Sequence, residues 1–350
     1  MLSATFIQEC RWQNLNLLIA SDLKTTILTM KTLYPEIQPY HTFFLATDTA
    51  HQVYVEESGN PTGFPVIFLH GGPCSGTKPD HRRFFNPQQY RIILFDQRGC
   101  GQSTPFGRCE DNTTQALIAD MERIRCQLTI QQWLVFGGSW GGALALLYAQ
   151  QHPQYVAGLI IRAVFLARQD DLNWYIRDGA KRIFPEAWQT LISSLKHPPT
   201  DDLLAHLLAA IENTDISFRD TVLSAWLNWS AQVALGVNYQ SKSTLVITED
   251  TLQQVRMELH YAKHRYFITE NQILANCPLL QEIPTQIIHS RLDLLCPLEA
   301  GYRLHQALPN ASFCILNHAG HIAQHEEMID ALVTATDSFA SNLKRDTAKR

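Results

Sequence analysis

The strongest constraint on what this chain can fold into is the stretch Leu134-Val135-Phe136-Gly137-Gly138-Ser139-Trp140-Gly141-Gly142-Ala143-Leu144-Ala145-Leu146. An apolar run that reads as a buried strand breaks at glycines, presents one serine, and resumes as an apolar helix. The G-x-S-x-G spacing, filled by Gly137, Ser139 and Gly141, is that of a sharp strand-to-helix turn that lifts a nucleophile clear of a sheet. Such a turn forces the serine into a strained backbone conformation, and a side chain at either flanking glycine would collide with the neighbouring strand and helix. Ser139 then stands at the positive end of a helix dipole, where the Trp140 N–H faces the anion formed when a carbonyl is attacked.

The rest of the chain fits around this element as alternating strands and helices. Two alternating segments, Thr42 to Thr47 and Gln52 to Glu57, read as an antiparallel pair. Short apolar runs follow at Val66 to Leu69, Arg91 to Phe95, Trp133 to Phe136, Gly158 to Ile161, Thr285 to His289 and Ser312 to Leu316. Runs of this kind, buried on both faces, mark parallel strands. Helical spacing joins Leu117, Met121, Ile124 and Leu128, and again Met328, Leu332, Ala335 and Phe339. The pattern predicts an α/β fold with a mostly parallel eight-stranded sheet and a site at the carboxyl ends of its strands.

The alternation stops between about Arg168 and Cys277. That span holds Trp174, Trp188, Trp226 and Trp229, with long helical patterns such as Asp201 to Ile211. We therefore expect four parts: an N-terminal extension over 1–29, a first core part over 30–167, an inserted helical lid over 168–277, and a second core part over 278–350. The extension reads as poorly ordered or as an over-long gene start. Its apolar run, Leu15 to Ala20, lacks a small-residue cleavage site and makes a poor signal peptide.

A serine hydroxyl needs a base, usually a histidine held by a carboxylate. Asp293 sits just past the strand ending at His289, and His321 just past the last strand in His318-Ala319-Gly320-His321. His318 and Glu299 compete for these roles, but Gly320 places His321 where the chain must turn toward the site. The second oxyanion donor is expected from His70-Gly71-Gly72-Pro73, as the N–H of Gly72 beside that of Trp140. Asp96 and Arg98, two residues apart in a glycine-rich turn, read as charges that lock a loop.

Composition narrows the function. The 350 residues carry a net charge of -5 at pH 7, so no basic field attracts nucleic acid or an anionic membrane. No apolar run reaches membrane-spanning length. Eight cysteines lie scattered without C-x-x-C or zinc spacing, which fits reduced thiols in a cytoplasmic protein and no metal site. In that compartment the sequons at Asn112, Asn228 and Asn310 carry no glycan.

With these residues in hand, the sequence from Leu33-Tyr34-Pro35-Glu36 to the C-terminus resembles the proline iminopeptidases of the α/β hydrolase superfamily. The motifs are His70-Gly71-Gly72-Pro73, Phe95-Asp96-Gln97-Arg98-Gly99-Cys100-Gly101, Glu110-Asp111-Asn112-Thr113-Thr114, Gly137-Gly138-Ser139-Trp140-Gly141 and Ala319-Gly320-His321. The resemblance implies the α/β-hydrolase fold and release of N-terminal proline from small peptides through a covalent acyl-enzyme, without metal or cofactor. It implies a proline ring against Phe165 and Tyr175. It also implies two lid glutamates that hold the free amine. One of them is Glu258, in Arg256-Met257-Glu258-Leu259-His260-Tyr261-Ala262. The other is replaced: Trp226-Leu227-Asn228-Trp229 runs into Ser230. Ala262 stands where a phenylalanine would wall the pocket, and Cys74 where glycine follows Pro73. A gapped match through Arg265-Tyr266-Phe267 would instead set Lys263 at the glutamate.

Losing one carboxylate weakens selection for a cationic amine, because a single charge must offset its desolvation. An esterase or amidase with the same triad is therefore the second reading, favoured by Ser230 and Ala262. A silent binding protein is disfavoured by the complete triad. Epoxide hydrolase or dehalogenase chemistry is disfavoured by serine, not aspartate, at the elbow.

Overall fold

The computed structural model describes residues 30–196, 202–240 and 245–348. The expectation for 1–29, and residue 201 at the start of one expected helix, lie outside them. Two strands open the described chain, β1 (His41–Ala46) and β2 (Gln52–Gly59), followed by β3 (Phe64–Leu69) and β4 (Tyr90–Phe95). Then come α1 (Thr114–Gln127), β5 (Trp133–Ser139), α2 (Trp140–Gln151) and β6 (Val156–Val164). Among the described residues six α-helices intervene before the next strand: α3 (Gln169–Ile176), α4 (Pro185–Ser194), α5 (Leu203–Ile211), α6 (Ile216–Leu235), α7 (Glu249–Lys263) and α8 (Gln272–Ala275). The chain ends with β7 (Thr285–Ser290), α9 (Leu298–Ala307), β8 (Ser312–Leu316) and α10 (Glu326–Ala348).

The eight strands form one sheet in the order β1-β2-β4-β3-β5-β6-β7-β8. Pairing is antiparallel for β1 with β2 and for β2 with β4, and parallel from there on. The central strands are apolar at successive positions because helices cover both faces. Ile67, Leu69, Ile93 and Val135 pack with Leu117 and Met121 of α1 and Leu144 of α2. Val66, Phe68, Ile92 and Phe136 meet Met328, Leu332 and Phe339 of α10 on the other face.

Between β6 and β7 the lid builds its own apolar centre from Leu191, Leu207, Trp226, Trp229, Val255 and Leu259. It is anchored to the core through the Asn112 segment. The Tyr261 hydroxyl donates to Asn112 Oδ1 at 2.7 Å, Asn112 Nδ2 donates to the Arg98 carbonyl at 2.8 Å, and the Thr114 hydroxyl donates to the Tyr266 carbonyl. Asn112 is therefore a buried tie whose amide is committed.

Asp96 and Arg98 do lock the chain, though not to each other. Asp96 accepts from the Thr77 N–H at 2.6 Å and the Gln102 N–H at 2.8 Å, whereas Arg98 pairs with Asp120 of α1. Among the described residues no helix is long and apolar enough to cross a membrane, and the seven described cysteines are unpaired.

Candidate active site

Ser139 closes β5 and caps α2 with φ 56° and ψ −128°, a region that side chains rarely occupy. The strain persists because the surroundings over-determine it. A Cβ on Gly137 would land on the Gly141 carbonyl, and one on Gly141 on the Leu69 carbonyl of β3. Strand, turn and helix can approach this closely only through hydrogen atoms. Gly141→Ala is accordingly expected to lower unfolding free energy by about 3 kcal/mol, measured as an earlier urea midpoint; an unshifted midpoint would show that the turn has room.

The glycine loop lies against this elbow. Gly71 comes so close that an added Cβ would sit 3.5 Å from Ser139 Cβ, and Gly72 has φ +112°. A polar chain holds the arrangement. The Trp140 indole donates to Gln97 Oε1 at 2.9 Å, and the Gln97 side-chain amide donates to the His70 carbonyl at 2.9 Å. The Gln97 N–H donates to His70 Nε2 at 3.0 Å, so His70 carries its proton on Nδ1 and gives it to the Gly71 carbonyl at 2.9 Å. Burial pushes the His70 imidazole down, keeping it neutral. Gln97 and His70 were not singled out from sequence, although both lie in the motifs quoted for the resemblance.

Asp293 follows β7 and His321 follows β8. His321 Nδ1 lies 3.0 and 2.9 Å from the two oxygens of Asp293, which also accepts the N–H groups of Leu295 at 3.0 Å and Cys296 at 2.8 Å. Burial raises the Asp293 carboxyl, but the neighbouring His321 and these donors outweigh it and hold the group below the usual carboxylate range. The histidine loop is clamped from several sides. Ser290 Oγ donates to the Ala319 carbonyl, Arg162 Nη1 donates to the His321 carbonyl at 2.9 Å, and Glu327 of α10 accepts the His318 N–H at 2.8 Å. His318 itself is exposed and Glu299 pairs with Arg168, so neither competitor reaches the site.

The strand sequence also hides a second imidazole. His289 is fully buried, donates from Nε2 to the Cys296 carbonyl at 2.8 Å, accepts the Val164 N–H at 3.1 Å, and lies 3.9 Å from Asp293. Burial pushes it down and neutral, so it braces the Asp293 turn without competing for its charge.

Ser139, His321, Gly71 and Gly72 face a cavity of about 480 Å³ whose opposite wall is the lid. Phe165, Tyr175, Ser230, Glu258 and Ala262 all line it, while Trp140 and Asp293 stand behind its wall. The Tyr175 hydroxyl and Ser230 Oγ are 2.6 Å apart. Glu258 is pushed up to about 7 by burial, with the Trp226 indole partly offsetting the rise. Tyr266 also lines the cavity, edge-on to Phe165 with centroids 5.0 Å apart, whereas Lys263, the last residue of α7, is exposed and does not line it. Tyr266 was visible in sequence only as part of the gapped match, because a run of positive φ over Arg265 to Phe267 turns its ring inward.

The fold and this site define an α/β hydrolase, and the family described as the alpha/beta hydrolase fold matches residues 65–328. The fold likeness extends to a solved epoxide hydrolase mutant from Vigna radiata, at TM-score 0.58 and 17% identity over 86% of this chain and 98% of that one. Nearer in sequence are the probable proline iminopeptidase of Leptolyngbya boryana, 40% identical over 89% of this chain and 98% of its own length, and the proline iminopeptidase of Xylella fastidiosa strain 9a5c, 41% identical over 89% and 100%. The chain belongs to the proline iminopeptidase family of the α/β hydrolases.

Proposed function

We propose that this protein is a serine aminopeptidase that releases N-terminal proline from small peptides. The observation that carries the reading is a carboxyl that makes no ion pair among the described residues, Glu258, in the same cavity as Ser139 and His321. A carboxylate there offers a cationic amine a partner that replaces its lost hydration.

In this mechanism Asp293 fixes His321 with the proton on Nδ1, leaving Nε2 free to accept the Ser139 proton. Oγ attacks the prolyl carbonyl carbon, and the resulting oxyanion is met by the N–H groups of Trp140 and Gly72. His321 then passes the proton to the leaving nitrogen as the C–N bond breaks. Water, deprotonated by the same histidine, releases proline from the serine ester. The pyrrolidine ring packs between Phe165 and Tyr175. The unpaired cysteines are in keeping with a cytoplasmic setting.

A second reading, an esterase or amidase indifferent to the amine, is favoured by the Tyr175–Ser230 hydroxyl pair, a neutral contact where family members carry a second carboxylate. The two separate on one comparison: kcat/KM on a prolyl arylamide, its N-acetyl derivative and a short acyl aryl ester. We expect the free prolyl amide to exceed the acetylated one by about 100-fold, the difference of roughly 3 kcal/mol that an ion pair to a buried carboxylate supplies. Equal rates on both amides, with faster ester turnover, would establish the second reading instead.

A further inference from the structure

Resting on that reading, we propose that Arg162 and His81 form a carboxylate-binding pole of the same cavity, and that the preferred substrates are dipeptides with N-terminal proline and a free C-terminus.

The two walls of the cavity carry opposite chemistry. Glu258 lies on the lid wall. On the core wall, Arg162 of β6 packs across Gly138, where an added Cβ would collide with its guanidinium, and it lines the cavity beside Ser139. One of its five N–H donors is committed to the His321 carbonyl at 2.9 Å. Among the described residues it makes no ion pair with any carboxylate; the charge that acts on it most strongly is Asp293, which is engaged by His321. A guanidinium held in a cavity without an anion is costly, and a substrate carboxylate is the group whose two oxygens fit its remaining donors.

His81 supplies a second donor to the same pole. It follows the glycine loop in the turn Pro79–Phe84 and stacks on Phe68, with centroids 4.3 Å apart and planes 24° apart. Its Nδ1 accepts the Lys78 N–H at 3.0 Å, so the proton sits on Nε2, which has no partner among the described residues. Burial, with repulsion from His70 and Arg162, pushes the ring down to about 3. A neutral donor beside the guanidinium adds a hydrogen bond without adding repulsion.

Ser139 lies on the core wall with Arg162, and Glu258 on the lid wall. With the proline amine at Glu258 and its carbonyl at the serine, the leaving residue extends toward Gly72, Arg162 and His81. A leaving group of one residue brings its carboxylate to that pole. A longer peptide brings a neutral amide there.

The test compares kcat/KM of the full-length protein on prolyl-alanine and prolyl-alanine amide, each in the free-amine form. We expect the acid to be preferred at least tenfold, and the preference to fall below twofold in Arg162→Gln and to shrink in His81→Phe, which keeps the stacking on Phe68. The acid-to-amide ratio is taken within each protein, so damage to the histidine loop in the Arg162 variant cancels. A wild-type ratio near one overturns the proposal even if neither variant folds, and leaves prolyl release standing. A preference for the acid that survives Arg162→Gln also overturns it. Absence of any preference for a free N-terminal amine removes the reading on which it rests.

Discussion

Ser139→Ala is expected to lower kcat on a prolyl arylamide by about 10⁶-fold and to abolish covalent labelling by a fluorophosphonate, with no loss of thermal stability. The size follows from the shared task of the three side chains. In the proposed mechanism His321, held on Asp293 at 2.9 Å, serves to receive one proton, and without the Ser139 hydroxyl neither would have anything to act on. Stability should hold because the strain of the turn resides in its backbone, at φ 56°, which alanine adopts no less readily than serine. Turnover within tenfold of wild type, or labelling that persists, would remove Ser139 from the nucleophile's role.

Glu258→Gln is expected to cost about 100-fold in kcat/KM for a free prolyl arylamide at pH 8, while leaving the N-acetylated amide within a few-fold. The pH dependence gives a sharper signature. Glu258 is pushed up to about 7, so below that pH the carboxyl is neutral and cannot pair with an ammonium. The ratio of free to acetylated substrate should therefore rise with pH, approaching tenfold per unit below 7 and levelling above it. His321 acts on both substrates and cancels in the ratio. In Glu258→Gln the ratio should be flat.

Stability should move in the opposite sense. A carboxyl whose folded pKa is raised binds a proton more tightly folded than unfolded, so the fold loses stability as pH rises from the ordinary glutamate range through 7. Glu258→Gln removes that loss and should melt later than wild type at pH 8 but not at pH 4. A pH-independent ratio in the wild type would sink this account of amine recognition.

Most of the architecture was legible because it is written in local patterns. Six strands were visible as short apolar runs, the central ones because burial on both faces leaves few polar positions, and the first two as alternating segments that pair antiparallel. The Gly137-Ser139-Gly141 spacing was legible for a different reason: three backbones pass so close that only hydrogen fits, and only glycine supplies it. Chain order then paired Asp293 and His321 with the ends of β7 and β8, and the two side chains do meet in the structure.

What sequence could not reach were groups whose role depends on distant elements meeting. Arg162 sits in a run that reads simply as strand, and its unpaired charge becomes visible only once β6 is set beside Gly138 and the loop of His321. His81 reads as a polar residue in a turn until its ring is found on Phe68 with a proton fixed on Nε2. Tyr266 depends on three successive positive φ values that no residue type there advertises.

The sequence by itself determined the sheet, the elbow and the identity of the triad candidates, because each is dictated by period, spacing and the small volume of glycine. Tertiary structure alone decided the electrostatics of the cavity. The lid brings Glu258 into the same cavity as Ser139, and a carboxyl's proton affinity is set by the solvent it loses and the charges it meets, neither of which is a property of its neighbours in the chain.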